Sequence, residues 1–428
     1  MSLDTSQLML LEDRLHRLVS ERLQDRSLLD NDSRGLIADQ VQQVLQEEER
    51  ILPEKWRKDI IRNVINRIIG YGPLEPFLHD PGVTEIMVNA SDEIFIERKG
   101  KLEPVRAAFR DDDHIRQVID RIIAPLGRRV DESVPFVDAR LPDGSRVNAI
   151  IPPLAIQGPA LTIRRFSRQP FTLARLEQLG TLSETMAGFL QASVRGRLNI
   201  LISGGTGSGK TSTLNALIRC IPHRERLVTI EDTAELQLNG GNFVSLEARP
   251  PNIEGKGEVT IRTLVRNALR MRPDRIIVGE VRGGEAFDML QAMNTGHPGS
   301  LTTVHANSPE DAVRRVESMV LMAGMRLPQP VVREQIASAV DLILQQERLP
   351  DGSRKITSLC EICAAREQHG GNKDLIIRKI FTWSPTAGGR MGGESPGRHR
   401  YTGVTPKCVS RLGGQDFRKL CFPEGEAA

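Results

Sequence analysis

The residues best suited to chemistry stand almost halfway along the 428-residue chain, in Gly204-Gly205-Thr206-Gly207-Ser208-Gly209-Lys210-Thr211. They fit G-x-x-x-x-G-K-[ST], follow the apolar run "LNILIS" and precede the helical pattern "TSTLNALIRC". Glycines let successive backbone N–H groups converge on a phosphate, and the N-terminus of the following helix adds partial positive charge. Lys210 is expected to bridge the β- and γ-phosphates of a nucleoside triphosphate, with the Thr211 hydroxyl on Mg²⁺ and Ser212 completing the first turn. A chance glycine-rich loop would not come with both the strand and the helix.

A magnesium-dependent phosphohydrolase also needs carboxylates for the metal and the attacking water. The strand "RIIVGE" delivers Glu280 at its carboxyl end, where parallel sheets bind ligands. Such strands usually end in Asp. The longer Glu280 would reach Mg²⁺ through water or polarise the nucleophile, unless it only pairs with Arg282. The stretch "VTIEDTAEL" offers Glu231, Asp232 and Glu235, and its place after the loop's helix predicts a strand beside the phosphate loop. One of the three could orient or deprotonate water. His297 and His305 flank "PGSLTTV"; their spacing is no metal signature, and the expected task is sensing the γ-phosphate through Thr302, Thr303 and His305.

Arginines cluster at Arg262, Arg266, Arg270 and Arg272 and again at Arg140, Arg146, Arg164 and Arg165. Each group reads as a solvated face or as a source of guanidinium for the transferred phosphoryl. The N-terminal set can serve only if its domain folds over the nucleotide of its own or a neighbouring subunit.

The elements that must position these groups follow from periodicity. Residues 1–70 carry charged helical patterns such as "LHRLVSERLQ" and "WRKDIIRNVINRIIG". Residues 71–168 read as an α+β domain, with strands in "VTEIMVN" and "EIFIERKGKLEPV" (turning at Lys99-Gly100) and a helix in "DDHIRQVIDRIIAPLG". Residues 169–197 read as a linker and a helix capped by Ser183. Residues 198–383 alternate short apolar strands with helices, the sign of a mostly parallel α/β sheet. Residues 384–428, rich in Gly, Pro and Arg, read as a flexible tail.

Composition narrows the classes. Hydrophobic residues at 39% and charged residues at 26% suit a globular chain, and 428 residues exceed one ordinary core. Lys and Arg (58) nearly balance Asp and Glu (55), and aromatics are 4%, so no direct nucleic-acid partner is expected. No apolar run approaches the ~18 residues of a spanning helix, so membrane association is expected only through partners and the location cytoplasmic. Five cysteines include Cys360 and Cys363 in "KITSLCEIC", which reads as a strand rather than a zinc site.

In this order the pieces resemble the secretion/pilus ATPases of the type II/type IV secretion superfamily, most closely the branch that assembles Flp (tight-adherence) pili. The resemblance spans Tyr71 to Leu349 and is carried by "YGPLEPFLHDPGVTEIMVN", "DARLPDGSRVNAIIPP", "SGGTGSGKTSTLNAL", "TIEDTAELQL" and "MRPDRIIVGEVRGGEAFDMLQAMNTGHPGSLTTVHANSP". It implies a RecA-like P-loop ATPase domain using ATP and Mg²⁺, with Glu235 matching the water-activating glutamate and His297 and His305 the histidine box. Arg146, with Arg164 or Arg165, matches the family's N-terminal arginines. It further implies a homo-hexameric ring, peripheral to the inner membrane, whose N-terminal domain swings over the nucleotide and drives an inner-membrane platform protein. Pilus assembly or retraction is the work this implies; the alternative is a type IV secretion ATPase exporting protein or DNA, with a nucleic-acid translocase behind both. The tail after Trp383 and the C-terminal cysteines depart from the family's pattern.

Overall fold

A computed structural model describes residues 5–23, 33–47, 53–98, 100–165, 171–238, 240–251, 255–364, 375–385 and 397–412. The chain divides into two compact units, Met1–Arg168 and Gln169–Ala428.

The first unit begins with helices α1 (Thr5–Leu23), α2 (Ser33–Glu47) and α3 (Glu54–Ile68). Leu11, Leu15, Val19 and Leu23, four apart, share one face of α1 and pack on Ile37, Val41, Ile60 and Val64. The buried Glu12 ties α1 to α3 by accepting from Asn63 Nδ2 at 2.8 Å and pairing with Arg67 at 3.2 Å. After a short helix α4 (Glu75–His79), strands β1 (Val83–Ala90), β2 (Glu93–Arg98), β3 (Lys101–Pro104), β4 (Phe136–Arg140), β5 (Arg146–Ile150) and β6 (Ala160–Arg164) form one antiparallel sheet in the order β3-β2-β1-β6-β5-β4. Helix α5 (Asp112–Ile123) covers its apolar face; Asp111 caps it, accepting from the His114 amide at 2.8 Å. Strands β2 and β3 pair Arg98 with Lys101, and Gly100 has a φ of +77°; Lys99, the other residue of the expected turn, lies outside the described residues.

The second unit is a three-layer α/β body. Its strands are β7 (Ile200–Gly204), β8 (Arg226–Glu231), β9 (Asn242–Glu247), β10 (Arg275–Val278), β11 (Leu301–Val304), β12 (Leu342–Arg348), β13 (Arg354–Ala364), β14 (Leu375–Pro385) and β15 (Gly397–Tyr401), in the order β15-β14-β13-β12-β7-β11-β10-β8-β9. From β12 to β9 the neighbours run parallel, while β13, β14 and β15 extend the sheet antiparallel. Strand alternation sends Ile200 and Ile202 to one face, where α6 (Leu173–Gln178), α7 (Glu184–Arg195) and α8 (Lys210–Ile218) pack. Leu201, Val304 and Ile343 face the other way, against α9 (Ile261–Ala268), α10 (Glu285–Asn294), α11 (Pro309–Met322) and α12 (Gln329–Ala339). The cap expected at Ser183 is present, accepting from Met186 N at 3.3 Å, and Ser308 caps α11 in the same way, accepting from Asp311 N at 3.0 Å.

Three readings change. The segment expected as a linker contains α6, capped by Thr172, and buries Leu173 and Leu176 in the main core. The acidic strand β8 is not beside β7, because β11 and β10 lie between them. Part of the expected flexible tail is built in: β15 pairs with β14 (Trp383 opposite His399), and Cys408 and Leu412 join the core. Arg411 fastens this segment, donating to Asp341 Oδ1 at 2.6 Å and to the Arg197 carbonyl at 2.7 Å. Residues 386–396 and 413–428 lie outside the described part.

Candidate nucleotide site

Strand β7 is buried along its whole length and opens directly into the glycine loop. Gly204 admits no side chain, since a Cβ there would stand 2.2 Å from the Gln346 carbonyl oxygen on β12. Gly207 and Gly209 have φ of +69° and +97°, the left-handed region that glycine occupies without strain. Lys210 opens α8 and is buried, its ammonium donating to the carbonyls of Gly204 (3.0 Å) and Gly205 (2.8 Å). Burial holds the Lys210 pKa below its ordinary value, against the pull of Glu280. Thr211 and Ser212 follow, half-buried, in the first turn of α8.

From Lys210 a line of charged and polar groups crosses the carboxyl ends of the strands. Lys210 Nζ lies 3.4 Å from His305 Nδ1, just after β11. His305 Nε2 lies 3.0 Å from Glu280 Oε1, just after β10. Arg282 then donates to Glu280 Oε2 at 2.8 Å and reaches Asp232 Oδ2 at 3.2 Å, at the end of β8. Burial, helped by the charge of Lys210, depresses the His305 pKa, which favours neutral imidazole at neutral pH. Thr303 also belongs to this edge, donating to the Gly279 carbonyl at 2.8 Å. Glu280 therefore does pair with Arg282 through Oε2, while its buried Oε1 faces His305 Nε2 at 3.0 Å without the alignment of a hydrogen bond. A buried carboxylate oxygen with spare lone pairs and the Thr211 hydroxyl are the hard oxygen donors that Mg²⁺ prefers, so the residues present fit that ion.

The three acidic candidates separate by environment. Glu231 is 4% exposed and is used by the backbone: its Oε1 accepts from Glu235 N at 2.9 Å and Leu236 N at 3.2 Å. Burial raises its pKa to about 7, although those amides oppose the shift. Its side chain also crowds the position before Glu280, because a Cβ on Gly279 would come within 2.9 Å of Glu231 Cγ. Glu235, half-buried in the loop after β8, acts electrostatically on Arg282. Although β8 is three strands from β7, the loop returns to α8, where Asn215 Oδ1 accepts from Gln237 N at 2.8 Å.

Other sequence candidates are placed elsewhere. His297 precedes β11, at the amino edge of the parallel sheet, and takes no part in the line that contains His305. Arg262 and Arg266 both donate to Asp288 at 2.7 Å, joining α9 to α10. In the first unit Arg140, Arg146 and Arg164 stand opposite one another across β4, β5 and β6. Arg164 faces Glu85 at 3.6 Å, whereas Arg165 is bound to the backbone of Asp80 and Val83. Cys360 and Cys363 sit buried in β13, as the strand reading expected. Among the described residues no helix is long and apolar enough to cross a membrane.

Sequence reasoning missed the outer support of the loop. Gln346 accepts from Thr213 at 2.8 Å, and Arg354, at the start of β13, donates to the Gly207 carbonyl at 3.0 Å. The only local signal was a Pro-Asp-Gly turn flanked by Arg348 and Arg354, and nothing local says that it stands against the phosphate loop.

Comparison with known proteins adds family context. A family model described as Type II/IV secretion system protein matches residues 69–403. A Mycobacterium tuberculosis protein that carries a conjugal-transfer name is 39% identical over 77% of this chain and 92% of its own length. The type IV secretion system protein VirB11 of Brucella suis is 34% identical over 64% of this chain and 83% of its own. The solved structure of the Legionella pneumophila ATPase DotB resembles this chain with a TM-score of 0.50 at 22% identity, covering 67% of this chain and 79% of that one. That likeness concerns the fold.

Proposed function

Because this chain belongs to the type II/IV secretion system protein family and is an ATPase, we propose that it is one subunit of a ring-shaped, Mg²⁺-dependent motor that powers assembly of a Flp (tight-adherence) pilus, as in the CpaF branch. The observation that carries the chemistry is the line Lys210–His305–Glu280–Arg282–Asp232 along the strand ends. Lys210 and the loop amides would hold the β- and γ-phosphates, and Thr211 and Glu280 would hold Mg²⁺, which would supply neutralisation of developing phosphoryl charge. Glu235 takes the proton of the attacking water, and neutral His305 reports the γ-phosphate to Glu280. Arg146 and Arg164 of the N-terminal unit, which match the family's N-terminal arginines, would add guanidinium charge toward a nucleotide. Hydrolysis releases that unit, and rigid-body cycling does work on an inner-membrane platform protein from the cytoplasmic side.

A second reading, a type IV secretion ATPase that exports protein or DNA, is favoured by the conjugal-transfer and VirB11 names of the relatives. ATPase rate against oligomer size, with and without the cytoplasmic domain of a candidate pilus platform protein, tests the first reading. Stimulation by that domain supports it. Stimulation by single-stranded DNA that falls steeply with salt would favour a nucleic-acid role instead.

A further inference from the structure

The β12–β13 hairpin overhangs the phosphate loop. Strand β12 pairs in parallel with β7, and their last partners are Gln346 and Gly204. The hairpin runs past that point to a tight turn, closed by Leu349 N on the Ser353 carbonyl at 2.8 Å and Ser353 N on Asp351 Oδ1 at 2.9 Å. At its neck Arg348 and Arg354 stand opposite each other. From there Arg354 passes Gly209, where a Cβ would meet its Cδ at 3.1 Å, and donates through Nε to the Gly207 carbonyl at 3.0 Å. Arg348 Nη1 is the heavy atom nearest to where a Gly207 Cβ would lie, at 3.8 Å.

A trans peptide is planar, with its carbonyl and amide pointing opposite ways. Turning the Gly207 carbonyl outward to Arg354 therefore turns the Ser208 N–H inward. There it meets the Gly205 carbonyl at 3.4 Å, within the loop itself. That amide is one of the converging donors that make a glycine loop an anion cradle. A guanidinium on the carbonyl also polarises the peptide and strengthens its N–H as a donor.

We propose that Arg354 is a positioning residue for nucleotide binding: it fixes the Gly207–Ser208 peptide plane from outside the loop, so that the Ser208 amide faces the bound polyphosphate. The proposal rests on the nucleotide reading of the site. It differs from the role of Lys210, which faces the phosphates directly. The binding gain lies in preorganisation, so it should appear in affinity and not in the chemical step.

The test compares the full-length wild type with Arg354→Ala, Arg354→Lys and Lys210→Ala. A fluorescent ADP serves as the probe, displaced by pyrophosphate or by adenosine, with steady-state ATP kinetics alongside. In Arg354→Ala the affinities for ADP and pyrophosphate should each fall roughly three- to tenfold, the range expected when a charge-assisted hydrogen bond at a partly solvated site is lost. Adenosine should compete as in the wild type, KM for ATP should rise by the same factor, and kcat should stay within about twofold. Arg354→Lys, which keeps the charge and a donor, should recover part of the loss. If Arg354→Ala fails to fold by circular dichroism, Arg354→Lys decides: it must bind pyrophosphate more weakly than the wild type and more tightly than Lys210→Ala. Unchanged pyrophosphate affinity, a loss shared by adenosine, or a fall in kcat alone would overturn the inference. If Lys210→Ala also keeps its pyrophosphate affinity, the nucleotide reading itself fails; if only the Arg354 variants do, that reading survives.

Discussion

The two edges of the parallel sheet use the same residue types to opposite ends. At the amino edge, Arg275 is completely buried and fully engaged. It donates to Glu225 through Nε (2.6 Å) and Nη2 (3.2 Å), and through Nη1 to the Val194 carbonyl (2.6 Å). Asn199 beside it accepts from the amides of Gly299 (2.8 Å) and Ser300 (3.0 Å) and donates to the Ala339 carbonyl at 2.6 Å. At the carboxyl edge, Lys210, His305, Glu280, Arg282 and Asp232 form a line that stays half-open to solvent and leaves one buried Glu280 oxygen without a hydrogen bond. Satisfied charge fixes a fold, because no alternative arrangement matches its bonds. Partly satisfied charge in a low-dielectric edge is where a polyphosphate and a cation can still gain.

Substitutions should separate the two edges, beginning with the largest effect. Arg275→Ala leaves Glu225 buried without its bidentate partner and should cost about 3–5 kcal/mol of stability in urea unfolding. The molecules that remain folded should hydrolyse ATP normally; a specific loss of kcat in them would break the contrast. Lys210→Ala should do the reverse, lowering kcat/KM roughly 10²–10³-fold while the melting temperature barely moves. Equal turnover in that variant would sink the assignment of the loop.

Two carboxylates sharpen the comparison within the carboxyl edge. Glu235→Gln should lower kcat on the order of a hundredfold with KM nearly unchanged, as expected for loss of a general base. Glu231→Gln should act mainly on stability, and with a defined pH dependence. The folded pKa of Glu231 is raised to about 7 by burial, so its contribution is most favourable below the unfolded value and declines as pH rises toward 7. The stability of Glu231→Gln relative to the wild type should therefore increase between pH 5 and pH 7.5, by on the order of 2 kcal/mol. A difference that stays flat with pH would show that Glu231 is ionised throughout.

Much of this was legible in the residues themselves. The phosphate loop, the cap at Ser183 and the strands "NILIS" and "RIIV" follow from local hydrogen bonding and periodicity, which a short window contains. Glu280 and His305 could be placed at strand ends for the same reason. His297, eight residues before His305, lies at the opposite end of β11, away from the strand ends that carry Glu280 and His305.

The order of the strands was not local information. Insertion of β11 and β10 between β7 and β8 moved the acidic strand away from the phosphate loop, and the bond from Gln237 to Asn215 brought its following loop back. Pairing of β12 with β7 joins residues about 140 positions apart and sets Gln346 and Arg354 against the loop. The Gly- and Arg-rich stretch after Trp383 looked unable to pack, yet Tyr401, Cys408 and Leu412 found an edge strand and a core already built by the preceding chain. The sequence by itself determined which groups could bind phosphate and which segments were helix or strand, since both depend on neighbours along the chain. Only the tertiary structure decided which arginines, carboxylates and histidines share one edge, because that depends on which distant strands pair.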